Sequence, residues 1–278
     1  MLTILAATDL LLPSRAGLRF ALQWSTQQKI KLIFFYVFHP VRLPQWTNTE
    51  SEKYAASEQL LKELELDKYV KDLYKTLNIL PGKYSCVVKQ GISADVSIGD
   101  YCREQGNIDF ICIATHGARK VERIFGTRTG NLITKSEVPV LAIPEKYKRK
   151  PIRKIAYATD FNNYKDELKK VEAFAKPIQA SIEVLHLGLV YEVLPDEATL
   201  RGAHDKQFPF GVEVELKRAS PRHSFFRDLK EEIEKSNPSL VIMFTDQHRD
   251  FLDRILFPSN AERLSFDLPV PLLVFPKK

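Results

Sequence analysis

Three motifs are missing from this 278-residue sequence, and each absence closes off a class of protein. There is no G-x-x-x-x-G-K-[ST] run, so no P-loop lysine is available for the common kind of phosphoryl transfer. No G-x-G-x-x-G follows the first apolar run, which argues against a dinucleotide-linked dehydrogenase. No G-x-S-x-G elbow is present, which argues against an α/β-hydrolase. Cysteine is scarce: Cys86, Cys102 and Cys112 are odd in number, lack C-x-x-C spacing and fall in apolar patterns, so they are expected as buried reduced thiols. Long hydrophobic runs are lacking too. Residues Leu32 to Phe38 are too few to span a bilayer, and the N-terminal MLTILAATDLLLP has no basic n-region and is interrupted by Asp9. It is read as a strand, and the expected location is cytoplasmic, with no membrane partner.

What remains is an ordinary folded composition, 44% hydrophobic and 27% charged. The net charge of +6 would suit an anionic partner, but 35 acidic residues are interspersed with 41 basic ones. The excess is read as a solubility feature, and a nucleic-acid partner is not expected.

Apolar β-branched runs alternate with helical periodicity along the chain. Leu2 to Ala7 is a strand, and Ser14 is placed to cap a helix carrying Ala16, Phe20, Ala21 and Trp24. Lys31 to Phe38 is a second strand. From Glu50 to Thr76 the composition is helical, with Leu60, Leu61, Leu64, Leu66, Val70, Leu73 and Leu77 supplying an apolar face. Tyr84 to Lys89 is a third strand, and Ser93 is placed to cap a helix to about Gln105. A charged, proline-bounded connector, residues 145–151, is the clearest break in composition. Beyond it the pattern returns: Ala158-Thr159-Asp160-Phe161 echoes Ala7-Thr8-Asp9-Leu10, and the closing PVPLLVFP echoes VPVLAIP.

The stretch from Ile108 to Pro144 organises the rest. A buried strand, Ile108 to Ala114, stops at Thr115-His116-Gly117; a basic segment follows, then Gly126-Thr127-Arg128-Thr129, with Thr127 placed as N-cap of a helix from about Arg128 to Ser136, and Val138 to Ile143 is the next strand. A loop ending on a helix N-terminus offers free N–H groups and the positive end of a dipole to an anion. The order of strand, small-x-x-Gly, a short loop, Gly-Ser/Thr, helix and Pro-Val-Leu strand resembles the nucleotide-binding signature of the universal stress protein family. Two departures are visible: Ala114 stands where the family usually has its first glycine, and eight residues rather than nine separate Gly117 from Gly126.

The resemblance covers nearly the whole chain and implies an α/β fold: two tandem flavodoxin-like (Rossmann-like) domains, residues 1–146 and 151–278, each a five-stranded parallel sheet with helices on both faces. In the expected strand order 3-2-1-4-5 the ligand crevice lies where strands 1 and 4 part. The family's pattern then assigns Thr8 and Asp9 beside the adenosine of ATP or another adenine nucleotide. Val37 would offer backbone to the base, and Thr115, His116, Gly117, Gly126, Thr127 and Thr129 would surround ribose and phosphates. Arg119 and Arg128 could face phosphate oxygens or form a solvated surface, and Asp9 could equally cap a nearby backbone N–H. His39, His116 and His186 lack Glu or Cys partners at ligand spacing, so no metal is expected beyond nucleotide-associated Mg.

The second copy reads Thr245-Asp246-Gln247-His248-Arg249-Asp250 and then Phe257-Pro258-Ser259, with no glycine between, and is expected to have lost the site. The resulting expectation is a stress-response protein binding an adenine nucleotide in its first half. The alternatives are a protein-interaction member that binds no nucleotide, favoured by Ala114 and the shortened loop, and a slow ATP hydrolase; no nucleophile paired with a base can be named. Family relatives dimerise through their last strands, which here implies an intrachain pseudo-dimer, with a homodimer also open and the protein partner unknown.

Overall fold

A computed structural model describes residues 1–40, 43–115, 126–188, 192, 200, 209–245 and 268–276. Its contacts divide the chain into two compact units that part between Glu145 and Lys146.

In the first unit the strands are β1 (Leu2–Thr8), β2 (Ile30–Phe38), β3 (Tyr84–Gln90), β4 (Phe110–Thr115) and β5 (Val140–Pro144). They lie in the order β3-β2-β1-β4-β5, all parallel. Near-continuous burial of β1, β2, β4 and β5 is what a sheet covered on both faces demands. Helices α1 (Arg15–Ser25) and α2 (Asn48–Leu77) pack together on one side, and α3 (Ala94–Gln105) and α4 (Gly126–Lys135) on the other. The second unit repeats the plan with β6 (Lys154–Ala158), α5 (Tyr164–Ala175), β7 (Ser181–Gly188), β8 (Val212–Arg218), α6 (Phe225–Ser236), β9 (Leu240–Thr245) and β10 (Leu272–Pro276). Its order, β8-β7-β6-β9-β10, matches the first unit strand for strand. Among the described residues no helix is long and apolar enough to cross a membrane.

Four local expectations are corrected. Ser93 stands at the N-cap position of α3 but makes no side-chain cap, because its hydroxyl donates to the Asp95 carboxylate instead. Ser14 makes no side-chain cap; its backbone is already helical, and its hydroxyl donates to Leu11 O at 2.8 Å instead. Thr127 is not an N-cap, because α4 begins one residue earlier at Gly126 and places Thr127 in the first turn. The leucines of α2 do not form one apolar face. Leu66, Val70, Leu73 and Tyr74 are buried, whereas Leu60, Leu61 and Leu64 are 61–66% exposed. At about 100° per residue, these three fall roughly 120–220° around the helix from Leu66, on its far side. The same helix starts at a capping box the sequence displays openly: Glu50 N donates to Thr47 Oγ1 at 3.3 Å and Thr47 N to Glu50 Oε2 at 2.8 Å.

Candidate functional site

The chain leaves β1 through a turn built by two side chains. Leu10 N donates to Thr8 Oγ1 at 3.0 Å, and Leu11 N donates to Asp9 Oδ1 at 2.9 Å. The Thr8 and Ser14 hydroxyls lie 2.8 Å apart, tying the turn to the start of α1. Leu10 is held at φ 64°, a left-handed conformation that costs a non-glycine residue about 1–2 kcal/mol. These two bonds offset that cost. The turn after β6 is the same: Phe161 N donates to Thr159 Oγ1 at 3.0 Å, Asn162 N to Asp160 Oδ1 at 3.1 Å, and Phe161 sits at φ 65°. One duty of Asp9 is therefore structural, as its echo in Asp160 requires.

The sheet order brings the other predicted residues to the same edge. β2, β1 and β4 are adjacent, so Val37, Asp9 and Thr115 stand side by side at their carboxyl ends. The β1–β2 register ends at Thr8 opposite Tyr36, so Val37 stands one residue past it on that edge, while its other edge pairs with Lys89. Thr115 Oγ1 donates to Ile143 O at 3.3 Å. Gly126, Thr127, Arg128 and Thr129 form the first turn of α4, which packs on β4 and β5. His116, Gly117 and Arg119 lie outside the described residues, as do residues 246–267 of the second copy.

Beneath this edge the first half uses small residues. Ala6 and Ala114 are buried on β1 and β4, and α1 comes so close that a Cβ on Gly17 would sit 3.0 Å from Ala114 N. In the matching register positions of the second half, Tyr157 replaces Ala6, Phe244 replaces Ala114 and Phe275 replaces Ile143. These rings fill the space against one another. Tyr157 meets Phe244 edge-on at 5.8 Å, Phe244 stacks on Phe275 at 5.1 Å, and Lys170 Nζ lies 5.7 Å above the Phe244 ring. The Tyr157 hydroxyl lies 2.5 Å from Glu167 Oε2 and 3.0 Å from Thr159 Oγ1; burial, with the Glu167 carboxylate beside it, pushes its pKa up. His186, at the position of Tyr36, has Nδ1 2.8 Å from Thr159 O, so that nitrogen carries the proton.

The cysteines are buried or half-buried, and burial pushes the Cys86 and Cys102 thiols up to about 12, far from thiolate reactivity. One cluster escaped the sequence reading, which weighed His39, His116 and His186 only. Ligand atoms of His223, Asp228 and Glu231 lie within 4.8 Å of one another. Its charges are already matched: Asp228 faces His223 Nδ1 at 3.1 Å and accepts from Ser220 N, while Arg227 Nε donates to Glu231 Oε1 at 3.0 Å and holds that carboxyl below its usual pKa. It acts as a hydrogen-bonded start to α6.

The family model for universal stress proteins matches residues 1–144, more than half of the 278-residue chain. The chain belongs to the universal stress protein family. Solved structures extend the fold across the rest. A universal stress protein from Archaeoglobus fulgidus DSM 4304 is 16% identical over 99% of this chain and 98% of that one, with a TM-score of 0.70. A protein of unknown function from Pseudomonas aeruginosa PAO1 is 15% identical over 99% of this chain and 92% of that one, with a TM-score of 0.56. At these identities the likeness is one of fold alone. A universal stress protein solved in complex with cAMP is 18% identical and covers 52% of this chain and 98% of that one, with a TM-score of 0.36. No curated protein matches the sequence.

Proposed function

We propose that this universal stress protein binds an adenine nucleotide, ATP or a relative, once per chain, in the crevice at the carboxyl ends of β1, β2 and β4. The observation that carries the reading is convergence: Asp9, Val37 and Thr115, scattered over more than a hundred residues, share one sheet edge with the first turn of α4 close by. That edge is the topological switch point, where β1 feeds α1 on one face and β4 leads to α4 on the other. The roles follow from chemistry. Asp9, whose Oδ1 also holds the turn, offers a carboxylate acceptor to a ribose hydroxyl, Val37 presents main-chain groups to the base, and the N–H groups of residues 126–129 serve the phosphates, with His116, Gly117, Arg119 and Arg128 assigned to complete the cradle. Magnesium, where present, would arrive with the nucleotide.

A second reading, protein interaction without nucleotide, is favoured by one observation: the Thr8 hydroxyl and Asp9 Oδ1 are both already engaged by backbone N–H groups. Native mass spectrometry of the full chain purified from cells separates the two. The nucleotide reading expects one adenine nucleotide retained per chain; apo protein that also ignores added ATP favours the second.

A further inference from the structure

The turn from β3 into α3 is packed tightly against the end of β2. A Cβ on Gly91 would lie 2.1 Å from Ser97 Oγ and 3.1 Å from Val37 Cγ1, and Gly91 N donates to Phe38 O at 3.0 Å. Ser93 follows at the N-cap position with extended backbone, yet its hydroxyl makes no cap bond. It donates to Asp95 Oδ1 instead. The other carboxylate oxygen, Oδ2, accepts from Asn131 Nδ2 at 2.9 Å, across to the sixth residue of α4. Apolar packing does not duplicate this link from the flanking residues, since Ile92 and Val96 are 89% and 58% exposed. Asn131 lies about 7.5 Å along the helix axis from Gly126, so a bond there fixes the direction in which the first turn of α4 aims its N–H groups.

We propose that the first turn of α3 braces the nucleotide site, with Asp95 as the positioning residue that locks α4 to the same turn that packs against Val37. The inference rests on the nucleotide reading above and adds a part to it: base end and phosphate end are held in fixed relation by one carboxylate. An ionised acid suits the post, because it accepts from Ser93 and Asn131 at once, which a neutral amide oxygen does with weaker bonds. Among the described residues the second half shows no such link. Its N-cap Ser224 accepts from Arg227 N at 3.2 Å in the ordinary way, and Phe226 occupies the place of Asp95. Brace and site are thus found in the same half. Donors misaligned by more than about 0.5 Å lose much of their hold on an anion, so the brace is expected to govern affinity rather than fold.

The test uses the full chain and two readouts: ATP titration by calorimetry, and amide hydrogen exchange of residues 126–135 without ligand. Asp95→Ala and Asn131→Ala are each expected to weaken ATP about tenfold and speed exchange in α4. The swapped pair, Asp95→Asn with Asn131→Asp, re-forms the bond with donor and acceptor reversed and is expected to restore both. A swap that restores neither, or single variants that bind ATP like the wild type, would overturn the brace. A wild-type chain that ignores ATP would sink the nucleotide reading instead. Exchange then decides the brace alone: unchanged α4 protection in the single variants contradicts it, and loss restored by the swap upholds it. If the alanine variants do not fold, Ser93→Ala, which leaves Asp95 in place with one donor fewer, serves with the same expectations at smaller size.

Discussion

Thr8-Asp9-Leu10 and Thr159-Asp160-Phe161 build the same turn, with the same two side-chain bonds and the same left-handed third residue. Under the first turn lie Ala6 and Ala114; under the second, Tyr157 and Phe244 with Phe275 stacked beside them. The comparison separates two duties that the sequence motif alone runs together. The Thr-Asp pair shapes the exit from the first strand in both halves of this chain, so its presence alone says nothing about a ligand. What differs is the floor, small in one half and filled with aromatic rings in the other.

The sharpest way to break the comparison is to empty the filled floor. Phe244 is 5% exposed, and Phe244→Ala should destabilise the chain by about 3–5 kcal/mol in denaturant unfolding, while leaving ATP affinity unchanged. A loss below about 1 kcal/mol would mean the rings do not hold that half together. Next come the paired carboxylates. Asp9→Ala should weaken ATP by about 1.5–3 kcal/mol, ten- to a hundredfold, whereas Asp160→Ala should leave affinity alone. Equal effects on binding, or none from either, would end the assignment of the site to the first half. Filling the small floor is the reciprocal change. With α1 already in close contact at Ala114 N, Ala114→Phe should overpack the site, costing about 1–3 kcal/mol in thermal unfolding and removing ATP binding. Retained affinity would show that the alanine floor is incidental.

The smallest effect is one of pH. Burial raises the Asp95 pKa, but hydrogen bonds from Ser93, Asn131 and the Asp95 and Val96 N–H groups outweigh it, leaving the net value below 3.8. A depressed carboxylate contributes stability that is present above its unfolded value and lost as pH falls through the folded one. Carbon-detected titration of Asp95 should therefore show a midpoint below 3.8, the ordinary aspartate value. An Asp95 midpoint above 4.5 would contradict a carboxylate held by these donors.

Much of the fold is legible in the residues. Leu2 to Ala7 and Lys31 to Phe38 stand out as strands because a parallel strand covered by helices is an apolar, β-branched run whatever its neighbours do. The parallel sheet follows from the alternation of strand and helix, whereas the strand order was implied by the family resemblance. The apolar face of α2 was misread, because its leucines were grouped by composition although 100° steps already separate Leu60, Leu61 and Leu64 from Leu66 and Val70. The candidate site was harder. That Asp9 and Thr8 hold their own turn depends on side-chain rotamers, which spacing does not encode. The exchange of Ala114 for Phe244 becomes visible only once register pairs Ile4 with Phe110 and Ile155 with Leu240. The bond from Asp95 to Asn131 joins residues 36 apart in two helices that no local pattern connects.

The central claim is one adenine-nucleotide site per chain, in the half with the small floor. Calorimetric titration of the full chain with ATP, repeated on Asp9→Ala and Asp160→Ala, tests it most directly. The account predicts saturation at one equivalent, weakened by the first substitution and untouched by the second. Saturation at two equivalents, or at one equivalent sensitive to Asp160 rather than Asp9, would contradict it.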